Sequence, residues 1–130
     1  MTVAREYHTQ QVHYLRKTMI FSNEVETNIG TIPSGSLILK PISGVHVSTA
    51  FDATTTNVID VGFSASPDDP NYLGTVMDLK TATFVPLDEA VGGYLVTANV
   101  TVTATISHTG AAAAAGSCEV VICYIPDNDG

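Results

Sequence analysis

Residues 94–107 alternate almost without interruption. Tyr94, Val96, Ala98, Val100, Val102, Ala104 and Ile106 form one apolar row. Thr97, Asn99, Thr101, Thr103, Thr105 and Ser107 form a second row of neutral hydroxyls and one amide, and Leu95 is the single exception. A period of two sends successive side chains to opposite faces of an extended chain, so the stretch predicts a half-buried β-strand. At about 3.3 Å per residue it would run about 45 Å, well beyond the usual five or six residues. A bend or a division into two strands is therefore expected.

The same stretch lies in the longest run without Asp, Glu, Lys or Arg, from Ala90 to Cys118. Its length alone would suffice for a membrane span. Gly92 and Gly93 open it, however, and a polar group at every second place from Thr97 to Ser107 excludes a spanning helix. A membrane barrel would repeat this pattern around its wall with aromatic girdles, and nine aromatics with no Trp do not supply them. No membrane partner is expected.

The last strand, Cys118 to Ile125, reads differently. Val120, Ile122 and Tyr124 on one face are matched by Val121, Cys123 and Ile125 on the other, which predicts cover on both sides. Cys118 and Cys123 stand at an odd offset, so their thiols face opposite ways and cannot bridge; both are expected free and buried. Between the two strands, five alanines flanked by Gly110 and Gly116 form too short a nucleus for an independent helix and predict a loop joining antiparallel strands.

Upstream, Ile59, Val61 and Phe63 alternate with Val58, Asp60, Gly62 and Ser64, giving another strand with its apolar face inward. Leu37–Leu39 and Val45–Phe51 read as short strands separated by Pro41 and the Ser43-Gly44 pair. Turn chemistry marks 32–36, 66–71 and 88–93, and residues 7–21 and 78–85 supply the remaining strands. No helix-period segment of useful length occurs. The expected fold is all-β, an antiparallel, jelly-roll-like β-sandwich of seven or eight strands. Residues 1–22 form an N-terminal arm or edge strand and residues 23–130 one sandwich domain. A 130-residue chain can bury about two-thirds of its unfolded surface, enough for a core without metal or disulfide staples.

Thirteen acidic against five basic residues leave a formal charge of −8, which argues against nucleic acid as a partner. Charged residues are only 14% of the chain, where about a quarter is usual. The basic groups gather early: Arg5, Arg16, Lys17 and Lys40 lie in the first forty residues, and Lys80 alone follows them. Arg5, Glu6, Arg16 and Lys17 interrupt any apolar signal segment in the first twenty residues, so synthesis and retention in a reducing cytoplasm are expected.

No constellation for chemistry emerges. His8 and His13 are five apart, and His46 and His108 belong to unrelated segments, so no metal ligand set is expected. Asp68-Asp69 with Asn71, and Asp127-Asn128-Asp129-Gly130, resemble pieces of calcium loops but lack the closing Glu. There is no nucleophile elbow and no phosphate-cradling Gly-rich loop with Lys, and Asp88-Glu89 sits in a turn. Neither catalytic nor cofactor-binding residues are assigned, and an enzyme is not expected.

What does stand out is an uncharged face. Natural sheets protect exposed strands with Lys and other charges. The row Thr97, Asn99, Thr101, Thr103, Thr105 has none. Covering hydroxyls in an assembly costs less than covering ions, so this row is one candidate protein interface. The second candidate is the N-terminal segment, where Arg5, Arg16 and Lys17 are suited to acidic groups on another chain.

Three segments carry a resemblance. Ile32-Pro33-Ser34-Gly35-Ser36-Leu37-Ile38, Val45-His46-Val47-Ser48-Thr49-Ala50-Phe51 and Thr56-Asn57-Val58-Ile59-Asp60-Val61-Gly62 follow in order, and the chain closes with a Thr-rich strand, a Gly/Ala loop, an apolar strand and an acidic tail. Over residues 30–126 this pattern resembles the jelly-roll capsid decoration, or cement, proteins of tailed bacteriophages, such as those of epsilon15-like phages. The resemblance implies a virion structural protein on the outer surface of the head. It would bind there as a homodimer or homotrimer, bridging neighbouring major capsid proteins, and it carries over no catalytic residue. A head fibre or tail accessory subunit is the alternative within virions. Outside them, the alternative is a carbohydrate-binding β-sandwich.

Overall fold

The structure, a computed structural model, describes residues 11–64, 69–89, 93–111 and 114–127. Ten strands form among them, in the order β1 His13–Ile20, β2 Thr27–Ile32, β3 Leu37–Leu39, β4 Gly44–Thr49, β5 Thr56–Ser64, β6 Asp69–Asp78, β7 Phe84–Pro86, β8 Gly93–Leu95, β9 Val100–Thr109 and β10 Ser117–Ile125. One 3-10 turn, Lys40–Ile42, separates β3 from β4. Among the described residues no helix is long and apolar enough to cross a membrane.

All pairings are antiparallel, in two sheets that pack as a jelly-roll-like sandwich. The larger sheet runs β7-β4-β10-β3-β8, with β1 on the other flank of β10, and the smaller runs β2-β9-β5-β6. The core lies between them. Val100, Val102, Ala104 and Ile106 of β9 and Ile59, Val61 and Phe63 of β5 meet Val120 and Ile122 of β10 and Val45 and Val47 of β4, all buried. The inward rows are those that the alternation predicts, because burying every second side chain is how a sheet loses one apolar face from water.

The 94–107 stretch does divide. Its first part is β8 in the larger sheet and its second is β9 in the smaller, so the chain changes layers between Val96 and Asn99. The predicted turn at 32–36 fastens this crossover. Gly35 N–H donates to Val96 O and Val96 N–H to Ser36 O, both at 2.8 Å, and Ser34 N–H donates to Asn99 Oδ1 at 2.8 Å. Alternation resets at the crossover, leaving Ala98 exposed although its parity with Val96 and Val100 places it inward.

The strand expected over 78–85 is displaced. Residues 79–83 are not a strand; β7 begins at Phe84, and the preceding strand is β6, which starts inside the turn expected over 66–71. β6 is hard to read because it is irregular. Its register against β5 shifts twice, and Val76 sits at φ 51°, a left-handed conformation that β-branched residues avoid. Two carboxylates hold that bulge: Asp60 Oδ1 accepts Val76 N–H at 2.7 Å, and Asp88 Oδ1 accepts Thr75 N–H at 3.0 Å. The strand count exceeds the expected seven or eight because the long alternating run divides and because β2, around Gly30, lacks alternation.

Between the layers, Phe63 of β5 is fully buried and touches two other rings. Its centroid is 5.4 Å from Tyr72 of β6 and 5.6 Å from Tyr94 of β8, and those two are 4.9 Å apart. The trio ties the smaller sheet to the larger. Asn57, also buried, closes the end of the sandwich by accepting Ala53 N–H at 3.1 Å and donating to Ala53 O at 2.9 Å.

Lys40 is buried and its Nζ makes no hydrogen bond. Burial pushes its ammonium below the usual lysine range, while Glu89 and Asp88 pull it back up. A buried charge without a close partner is a liability that an apolar side chain of similar volume removes. Lys40→Met is expected to raise stability by about 1 kcal/mol at neutral pH in urea denaturation. Because its folded pKa is depressed, the wild-type lysine costs less stability as pH rises toward 10.5, so the gap between the two proteins should narrow there.

Candidate assembly surfaces

The outward face of the smaller sheet carries the central part of the predicted hydroxyl row. In register, Thr101 stands between Thr31 and Ser64, Thr103 between Asn28 and Gly62, and Thr105 beside Asp60. Thr101 and Thr105 are half-buried, whereas Thr103 is only 3% exposed and its hydroxyl has no partner. The backbone of Asp69–Asn71 passes over Gly62, the register neighbour of Thr103, and the missing side chain of Gly62 leaves just enough room. Thr97 and Asn99 are exposed, but they belong to the crossover rather than to β9: Asn99 holds Ser34 N–H, and Thr97 O accepts the Ser34 hydroxyl at 3.1 Å. The five residues thus do not form one continuous row.

The basic residues are also separated. Arg5 lies outside the described residues. Arg16 and Lys17 are neighbours on β1, so they project from opposite faces of the larger sheet. Arg16 is already engaged: its Nε donates to Glu119 Oε2 and its Nη2 to Glu119 Oε1, both at 3.0 Å. This fork holds the Glu119 carboxyl below the usual range and raises the guanidinium. Lys17 is exposed on a strand whose other flank has no partner among the described residues.

The outward face of the larger sheet is a surface that the sequence reading does not single out. Register places Tyr14 of β1 against Cys123 of β10, Ile125 against Leu37 of β3, and Leu37 against Leu95 of β8. Across β10, Val121 adjoins Gly44, and the Phe84 ring lies over Gly44, 2.7 Å from where a Cβ would stand. Ile42 joins this group, its carbonyl 3.8 Å from Cys123 Sγ. Tyr14 is 62% exposed, Leu95 59% and Ile42 55%. Cover on both sides of β10, as its sequence predicts, is therefore incomplete: Val121 and Cys123 are half-buried by their flanking strands, and no second layer lies over them. The apolar outer row of β10 was the legible signal for this face.

Cys118, on the inner face, is buried, and burial pushes its thiol up to about 12. No disulfide links it to Cys123. Among the described residues, no group of three or more His, Cys, Asp or Glu is placed to hold a metal. His108 Nε2 lies 3.4 Å from both Glu24 Oε1 and Phe21 O, and so fastens the β1–β2 connection to β9.

The alanine loop is held by its neighbours. Asp52 Oδ1 accepts the N–H groups of Ala114 at 2.8 Å and Ala115 at 3.0 Å, and Thr54 Oγ1 accepts Ala111 N–H at 2.7 Å. Those backbone donors keep the Asp52 carboxyl below its ordinary range. Asp52 and Glu119 both bind protons more weakly folded than unfolded, so the stability they supply is complete above about pH 5 and lost as pH falls through their lowered values. Melting temperature between pH 7 and pH 3 should fall less steeply for Asp52→Ala than for the wild type.

No protein-family model matches the chain, and no curated protein matches it. Solved structures do. A chain of the cyanophage Pam1 capsid asymmetric unit superposes with a TM-score of 0.68 at 18% identity, covering 92% of this chain and 88% of that one. A chain of the acid-stable capsid structure of Helicobacter pylori bacteriophage KHP30 gives 0.66 at 19% identity, with 88% of each chain covered. At that identity the likeness is one of fold, and it extends over nearly the whole length of both partners.

Proposed function

We propose that this protein is a structural, non-enzymatic component of a bacteriophage virion, bound to the outer surface of the head and stabilising it by bridging major capsid proteins. The observation that carries the proposal is the two-way coverage. The matched chains come from phage capsid structures, and the shared fold extends over about nine-tenths of this chain and of each of theirs. The exposed faces support the same reading. One is apolar, one is rich in hydroxyls, and both are chemically suited to cover by protein.

In this reading Thr101 and Thr105 of the smaller sheet, Thr97 and Asn99 at the crossover, and the basic residues Arg5 and Lys17 meet the shell. Thr103 contributes beneath them as packing, and Arg16 acts through its pair with Glu119. Co-sedimentation with phage heads prepared without this chain tests the proposal. Saturable binding is expected. Lys17→Glu, combined with deletion of residues 1–10, should weaken it about tenfold and reduce its salt dependence. No binding to heads rejects the proposal, and binding confined to the portal vertex assigns the chain to a head fibre or tail accessory role instead.

A further inference from the structure

We propose that Val76 is a projecting knob that seats in a small apolar pocket, rimmed by basic groups, on the shell protein facing the smaller sheet. The inference rests on the virion reading and names what one margin of that surface recognises. A lone valine exposed to water is ordinary, but Val76 is 65% exposed and also held at φ 51°. Among the described residues no other side-chain-bearing residue has a positive φ. A left-handed backbone costs an L-residue energy, a β-branched one most of all, and Gly or Asn would make the same turn without that cost. Burial within the isolated chain offsets little of it. Strain of this kind persists only where the surroundings impose it, and it gathers at ligand clamps and other functional positions.

Here the surroundings are explicit. Asp60 reaches from β5 to take Val76 N–H at 2.7 Å, and Asp88 reaches from the segment after β7 to take Thr75 N–H at 3.0 Å. With its amide tied to β5, the isopropyl group stands in solvent. Asp60 alternates with the buried Ile59 and Val61 and is the register partner of Thr105, so the knob stands at the margin of the same outward face as Thr101 and Thr105. Charge selects the partner. Asp60 and Asp88 flank the knob, and among the described residues neither forms an ion pair. Lys40 acts on Asp88 only through space, since its buried Nζ makes no hydrogen bond, and Lys80 Nζ donates to Thr55 O at 2.9 Å. An apolar tip between two unpaired carboxylates fits a pocket of aliphatic side chains with Lys or Arg at its rim. A chain of formal charge −8 with five Lys and Arg is a poor source of such a rim, so the occupant is the shell and not another copy.

Val76→Asn separates fold from recognition, because Asn accepts the left-handed region and lacks the knob. The variant should melt about 3 °C higher than the wild type as an isolated protein. It should also bind about tenfold more weakly to phage heads prepared without this chain, the loss expected for one buried valine. Asp60→Asn with Asp88→Asn keeps an acceptor for each amide and removes both charges, so it should leave melting nearly unchanged and flatten the salt dependence of binding. Equal affinity of the wild type and Val76→Asn overturns the inference and leaves the virion reading standing; a wild type that ignores heads overturns both. Melting of Val76→Asn below the wild type would mean that the valine serves the fold, and an unchanged salt dependence of the double variant would remove the basic rim. Either result also overturns the inference.

Discussion

Phe63→Ala is expected to destabilise the protein by about 3–5 kcal/mol, the largest loss of any single core truncation. Phe63 is fully buried and is the ring through which β5 of the smaller sheet reaches Tyr94 of the larger one. Removing it loses the transfer energy of a phenyl group and opens a cavity between two sheets that are each held rigid by their ladders, so collapse around the void is limited. The urea midpoint should fall sharply with an unchanged slope, and Phe63→Leu should recover most of the difference. A loss below about 1 kcal/mol for the alanine variant would mean that the three-ring cluster does not join the layers as described.

Gly62→Ala should cost about 3 kcal/mol for the opposite reason, addition of one methyl group. The new Cβ would fall on the Asp69 carbonyl oxygen and lie 2.6 Å from Asn71 N, so only movement of the β6 backbone makes room. Backbone in a bulged strand that Asp60 and Asp88 already pin does not yield cheaply. Gly74→Ala is the control. What it first meets is the thioether end of Met77, a flexible group that can turn away, so its cost should be clearly smaller. Thermal melting of the two variants side by side checks the contrast.

These two positions show what was legible in the sequence. The inward placement of Phe63 follows from alternation, which works wherever a regular strand buries one face; β3, β5, β9 and β10 all lie where the pattern predicts. The tight passage over Gly62 does not follow, because it depends on a bulged strand whose register is set by distant carboxylates. β6 was hidden for that reason: Pro70, Gly74 and the left-handed Val76 look like turn chemistry, and only Asp60 and Asp88, from other segments, make the bulge stable. The placement of the candidate interface residues was legible to a lesser degree. Parity correctly puts Thr101 and Thr105 on an outer face, but parity cannot report the burial of Thr103 or the layer change that removes Thr97 and Asn99 from the row. The apolar face of the larger sheet needed the topology itself, since Tyr14, Leu37, Phe84, Leu95 and Ile125 come from five strands and meet only through the register of β10 and its neighbours.

The most direct measurement of the central claim is electron microscopy of the purified parent particle at a resolution that traces the ten strands of the described residues. Density for this chain on the outer surface of the head, repeated with the symmetry of the shell and touching more than one major capsid protein, is the predicted result. Particles that lack the chain altogether, or that carry it only inside the shell, would contradict the account.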